Sequence, residues 1–144
     1  MVRYVVGVDG SAGSVRALEW AIREARLHGA SIDAVHAWRN DYHYFSASPF
    51  ASALSVVSID TLEHTARRTL DDTLGRVDTT GVPVEGVLVE GGPARELLDA
   101  AKGADLLVVG THGRGGFTGM LLGSTSQHVT HHATCPVVLV PDEP

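Results

Sequence analysis

The chain has 144 residues, of which 44% are hydrophobic and 19% charged, with a net charge of −6 and a pI near 5.7. That balance belongs to a globular domain with an ordinary core and sets aside disorder, while the acidic surplus sets aside a duplex nucleic-acid partner, which needs a basic face. Cys135 is the one cysteine, which excludes an intrachain disulfide and a cysteine-based zinc site; Lys102 is the one lysine. The apolar run at the start is too short for a signal peptide and no stretch reaches the length of a membrane span, so a cytoplasmic protein is expected.

Tyr4 to Val8 is a short β-rich run that ends at Asp9-Gly10-Ser11. Val15, Leu18, Ile22 and Ala25 then recur at helical spacing, with Gly29 as the stop. Ser31 to Trp38 is a second strand. Residues 39–55 are the least regular part, with Tyr42, Tyr44, Phe45 and Phe50 around Pro49; a lid, a partner surface or a disordered loop would each fit.

A second helix carries Ile59, Leu62, Ala66, Leu70, Leu74 and Val77 on one face, with Gly81 expected to end it. Val84 to Val89 is a third strand. Gly92-Pro93 opens a third helix, proline standing where its missing N–H costs nothing, with Leu97, Leu98 and Ala101 facing inward and Gly103 closing it. Asp105 to Val109 is a fourth strand, Ser124 to Ala133 a short fourth helix, and Pro136 to Pro141 a fifth strand.

Alternating strands and helices with continuously apolar strands predict an α/β fold: an open, doubly wound, five-stranded parallel sheet with helices on both faces. Strand order 3-2-1-4-5 is expected. No repeat, low-complexity segment or boundary is visible, so residues 1–144 are expected to form one domain. Ligands of such sheets bind beyond the carboxyl ends of the strands where the order reverses, which would bring Asp9 beside Gly110.

The most informative segment follows the fourth strand. From Gly110 to Ser126 it reads G-T-H-G-R-G-G-F-T-G-M-L-L-G-S-T-S, with six glycines and a row of hydroxyls. Glycines let a backbone turn at positive φ and leave no Cβ between N–H groups and an anion. The helix start beyond Gly123 adds unpaired N–H groups and a favourable dipole. It is not a P-loop, because Leu122-Gly123-Ser124 has no lysine, and the dinucleotide fingerprint fits neither here nor at G-V-D-G after the first strand.

What fits is G-x-x-G, nine residues, then G-S, as Gly110, Gly113, Gly123 and Ser124. Here the chain resembles the universal stress protein family, specifically its ATP-binding branch. The likeness spans the chain: V-G-V-D-G-S after the first strand, G-P-A-R-E-L-L at the third helix, V-V-G-T-H-G-R-G-G, G-S-T-S, and the terminal C-P-V-V-L-V-P. The resemblance implies ATP or a related adenine nucleotide (AMP or ADP), with Mg or Mn as a companion ion, and a role in regulating stress or dormancy.

Carried over by position, Gly7, Val8 and Asp9 would meet ribose and base, and Ala37 the adenine through its backbone. Gly110, Thr111, His112 and Gly113 would line ribose and α-phosphate. Gly123, Ser124, Thr125 and Ser126 would hold the outer phosphates, and Arg114 would neutralise phosphate charge. The bridge from Arg114 to Leu122 would be the part that responds to occupancy.

Bland readings stand beside these. Asp9 can simply cap the turn after its strand. Ser124 with Gln127 is also a capping-box pattern, which would satisfy the helix start without a ligand. His128, His131 and His132 have metal-compatible spacing, but no carboxylate lies in the segment, and a solvated or partner-facing helix explains them as well. Cys135 before Pro136 reads as a small buried residue rather than a reactive thiol.

No paired carboxylates lie near the loop and Ser11 sits in no nucleophile elbow, so dedicated catalysis is not expected. Slow ATP hydrolysis or autophosphorylation, which the resemblance allows, stays open. So do two rivals: a nucleotide-free dimeric interaction module of the same fold and an adenylate-transferring enzyme. Val137, Val138, Leu139 and Val140 would form an edge strand apolar on both faces, which is usually covered or paired. The resemblance implies pairing with a second copy, a homodimer; the short tail folding over the edge is the alternative.

Overall fold

The computed structural model describes residues 1–39, 59–113 and 121–142. Among the described residues five strands and four helices alternate: β1 (Arg3–Gly7), α1 (Ala12–His28), β2 (Ser31–Trp38), α2 (Ile59–Gly75), β3 (Val84–Glu90), α3 (Pro93–Ala100), β4 (Leu106–Gly110), α4 (Ser124–His132) and β5 (Val137–Val140). All pair in parallel, as the alternation predicts, and in the expected order β3-β2-β1-β4-β5. Among the described residues no helix is long and apolar enough to cross a membrane.

Period-two alternation along each strand divides the core between the two faces. Tyr4, Val6, Ile32 and Ala34 pack with Leu18 and Ile22 of α1 and Leu70 of α2. Val5, Val35 and Leu107 pack on the other face with Leu97 of α3 and Val129 of α4. The central strands β1 and β4 are therefore buried on both sides, and their continuous apolar runs follow from that position.

Helix ends follow local chemistry. Ser11 caps α1 by accepting the Ser14 N–H at 3.2 Å, and Gly29 ends it in the left-handed region at φ 65°. The buried stripe of α1 runs through Gly13, Ser14, Ala17, Leu18, Ala21, Ile22 and Ala25, leaving Val15 only half-buried. Helix α2 ends at Gly75, before Val77 and Gly81. Val77 still packs on the core, but from a turn stapled to α1: Arg26 donates to the carbonyls of Asp78 and Thr80 at 2.8 and 3.0 Å. Gly81, at φ 80°, belongs to that turn. Hydrophobic spacing alone cannot separate a last helical turn from a packed turn that continues its stripe.

Candidate functional site

A cavity of about 400 Å³ opens at the carboxyl ends of β1 and β4. There the chain leaves β1 for α1 on one face and leaves β4 for α4 on the other, so two loops diverge and leave a crevice. Gly7 must be small: a Cβ there would stand 2.8 Å from Leu97 Cδ1 and 3.2 Å from Val109 Cγ1.

Beyond it Asp9 folds back on its own loop. Its Oδ1 accepts the Ser11 N–H at 2.9 Å and the Ser11 hydroxyl at 2.5 Å, while Ser14 Oγ accepts the Asp9 N–H at 3.2 Å. Asp9 thus orders the entry to α1 and lines the cavity with the same carboxylate.

The β4 side is built by close backbone approach. A Cβ on Gly110 would lie 3.1 Å from the carbonyl oxygen of Gly13, and one on Gly13 would lie 2.8 Å from that of His112. The first turn of α1 therefore rests against the loop with nothing between them. A Cβ on Gly113 would collide with the Asp9 carboxylate, which brings the two strand ends together as expected. Gly123 N–H donates to Thr111 O at 2.6 Å, Ser126 Oγ donates to Gly110 O at 2.6 Å, and Thr111 N–H donates to Val140 O at 3.2 Å. Both ends of the loop are held in this way, whatever its middle does.

Helix α4 begins with Gly123 as its N-cap, and among the described residues no side chain caps it. The capping box expected from Ser124 and Gln127 is not formed. Ser124 is the first helical residue rather than the cap, and Gln127 N–H instead bonds the Gly123 carbonyl at 2.9 Å. Ser124, Thr125 and Ser126 line the cavity, so its wall here is the start of a helix, with the N–H polarity that goes with it. The Ser126 hydroxyl itself is spent on the scaffold, in its bonds to Gly110 and Thr111.

The opposite wall is apolar, made by Val35 and Ala37 of β2, Pro93 and Leu97 of α3, and Val109. His36 completes it, its Nδ1–H donating to Val8 O at 2.9 Å. At the mouth, His112 Nδ1 lies 3.0 Å from Asp142 Oδ2. Among the described residues the lining contains no lysine or arginine.

The lining includes Gly7, Val8, Asp9, Ala37 and Gly110, and also His112, Gly113, Gly123 and the three hydroxyl residues that follow. Thr111 is not among them; its backbone joins β5 to α4 behind the wall. Arg114 and most of its bridge lie outside the described residues, as does the aromatic segment from residue 40 to 55.

Sequence reading missed Ser11, Ser14, Val35, His36, Pro93, Leu97 and Val109 as wall residues. Ser11 and Ser14 carried a signal in the S-x-x-S start of α1, whereas His36 carried none, since its partner Val8 is visible only once β1 and β2 are paired. On α4 the rings of His128 and His132 stand 4.6 Å apart, both exposed, and among the described residues no three His, Cys, Asp or Glu converge as a metal centre would require.

A doubly wound sheet with a half-apolar, half-backbone crevice at its switch point is the arrangement at which α/β domains of this class carry their ligand sites. Residues 1–141 match the model of the universal stress protein family, and the chain belongs to that family. A universal stress protein of Mycolicibacterium smegmatis is 37% identical over 139 residues, covering 94% of this chain and 47% of that protein. One of Thermus aquaticus is 38% identical over 139 residues, covering 94% of this chain and 96% of that protein. The chain thus spans about half the length of the mycobacterial relatives it matches. Among solved structures, a universal stress protein in complex with cAMP superposes with a TM-score of 0.71 at 27% identity, over 96% of each chain.

Proposed function

We propose that this chain is a nucleotide-dependent regulator of a stress or dormancy response, holding ATP or a related adenine nucleotide in the cavity at the ends of β1 and β4. The observation that carries this reading is the uncapped start of α4 at Gly123, facing a cavity whose opposite wall is apolar. A helix start of this kind suits phosphate, and an apolar wall suits a purine base.

The residues fit the group end by end. Val35, Ala37 and Leu97 are placed for the base, and the Asp9 carboxylate for ribose hydroxyl donors. The backbone of Gly123 to Ser126 is placed for phosphates, with Mg or Mn as companion ion. Bound nucleotide would supply phosphate charge to be read by the protein, not a reaction. The cAMP complex of the 27% identical relative supports an adenine ligand.

We also read residues 1–144 as one cytoplasmic domain, paired with a second copy through Val137, Val138, Leu139 and Val140. Position supports this: β5 is the outer strand beside β4, with three of its four residues only half-buried.

The test is direct. Denaturing the purified protein should release adenine nucleotide, and Gly123→Val, which sets a branched side chain beside the Thr111 carbonyl and His112 at the helix start, should purify empty. A wild-type protein that carries no nucleotide and shows no affinity for added ATP would favour the nucleotide-free interaction module.

A further inference from the structure

The cavity presents a puzzle of charge. An anionic ligand needs positive potential, yet among the described lining residues the ionisable groups are Asp9, His36 and His112. His36 stands with the apolar wall, its Nδ1–H held by the Val8 carbonyl. His112 stands in the loop between Gly110 and Gly123, beside the start of α4, where phosphate is proposed to sit.

His112 is also the one that meets a carboxylate. Its Nδ1 lies 3.0 Å from Oδ2 of Asp142, two residues past the end of β5. Asp142 in turn reaches over the first turn of α1, where a Cβ on Gly13 would come within 3.3 Å of its Oδ1. A carboxylate at a helix start is favourably placed. The tail beyond β5, α1 and the glycine loop therefore meet at this pair.

We infer that Asp142 is a positioning residue that holds His112 as an imidazolium at the mouth of the cavity, making His112 a titratable group that reads ligand phosphate charge. The inference rests on the nucleotide reading above and extends it to this side chain. A carboxylate at hydrogen-bond distance favours the charged form of an imidazole. Among the described residues the following neighbours of His112 do not oppose that. The Asp9 carboxyl lies across Gly113; Gly13 of α1, where a Cβ would stand 2.8 Å from the His112 carbonyl, carries no charge; Thr111 Oγ1 lies 3.4 Å from Nδ1. The imidazolium charge at the mouth is then conditional: present in acid and lost as the imidazole deprotonates.

The experiment is calorimetric binding of cAMP and of adenosine between about pH 5 and 8, the range over which imidazole changes charge. The phosphodiester of cAMP keeps its negative charge throughout, so any slope belongs to the protein. Affinity for cAMP should fall on the order of tenfold from the acid to the alkaline end, while adenosine stays flat. Asp142→Asn should move the midpoint of that slope to lower pH, and His112→Gln should abolish it.

A flat wild-type profile, a slope shared by adenosine, a slope that survives His112→Gln, or an unmoved midpoint in Asp142→Asn would overturn the inference while leaving nucleotide binding intact. If neither cAMP, AMP nor ATP binds at any pH, the nucleotide reading falls and this inference falls with it.

Discussion

Single atoms decide much of the site. Gly13 and Gly110 face each other across α1 and the loop after β4, and the nearest atoms are backbone, which cannot swing aside. Gly13→Ala should therefore destabilise the fold by about 1–3 kcal/mol, the usual penalty of overpacking, and weaken ligand binding with it. A urea midpoint unchanged from wild type would contradict the close approach. Cys135 illustrates the opposite, an inert position. It packs with Leu97 and Val137 on one face, and burial pushes its thiol above the ordinary value, so little thiolate is present near neutrality. Its alkylation by iodoacetamide at pH 8 should be slow in the native protein and become ordinary in denaturant; rapid native labelling would refute this.

Elements are held by caps and staples more than by propensity. Ser11 serves α1 and Asp9 together, so Ser11→Ala should cost about 1 kcal/mol in unfolding free energy and also remove one of the two bonds from Ser11 that hold the Asp9 carboxylate. Leu18, fully buried between α1 and the sheet, should cost about 2–5 kcal/mol as Leu18→Ala in the same measurement. The turn after α2 offers a pH test.

The Thr80 hydroxyl and then its N–H hold the Asp78 carboxyl below its ordinary value, with Arg26 adding to this. A depressed folded value means stability present above the unfolded carboxylate range and lost as pH falls through the folded one. The stability difference between wild type and Thr80→Val should hence narrow as pH drops below about 4; a constant difference would dismiss the bond's ionic part. This turn also marks where sequence reading stopped. The stripe Leu70, Leu74, Val77 runs on unbroken, and only the Arg26 bonds to Asp78 and Thr80 distinguish helix from turn.

At the scale of the molecule the sequence was highly legible. Apolar runs marked five strands, alternation implied a parallel sheet, and the expected order is the one found. The cavity's backbone half was legible as well, because glycine spacing is a local signal. Its other half was not: Leu97 and Val35 look like ordinary core residues until β2 and α3 are assembled, and Asp142 meets His112 across thirty positions. The proposed pairing of β5 with a second copy also belongs here. Sedimentation should give a dimer over the micromolar range, and a monomer at every concentration would remove that proposal.

Thr111 deserves a last consideration. Its N–H is held by Val140 at the rim of the sheet and its carbonyl by Gly123 at the start of α4. One residue therefore stands between the outermost strand and the start of α4. Should β5 pair with a second copy and the cavity fill, as proposed, any coupling carried through this residue would shift each event by the same factor.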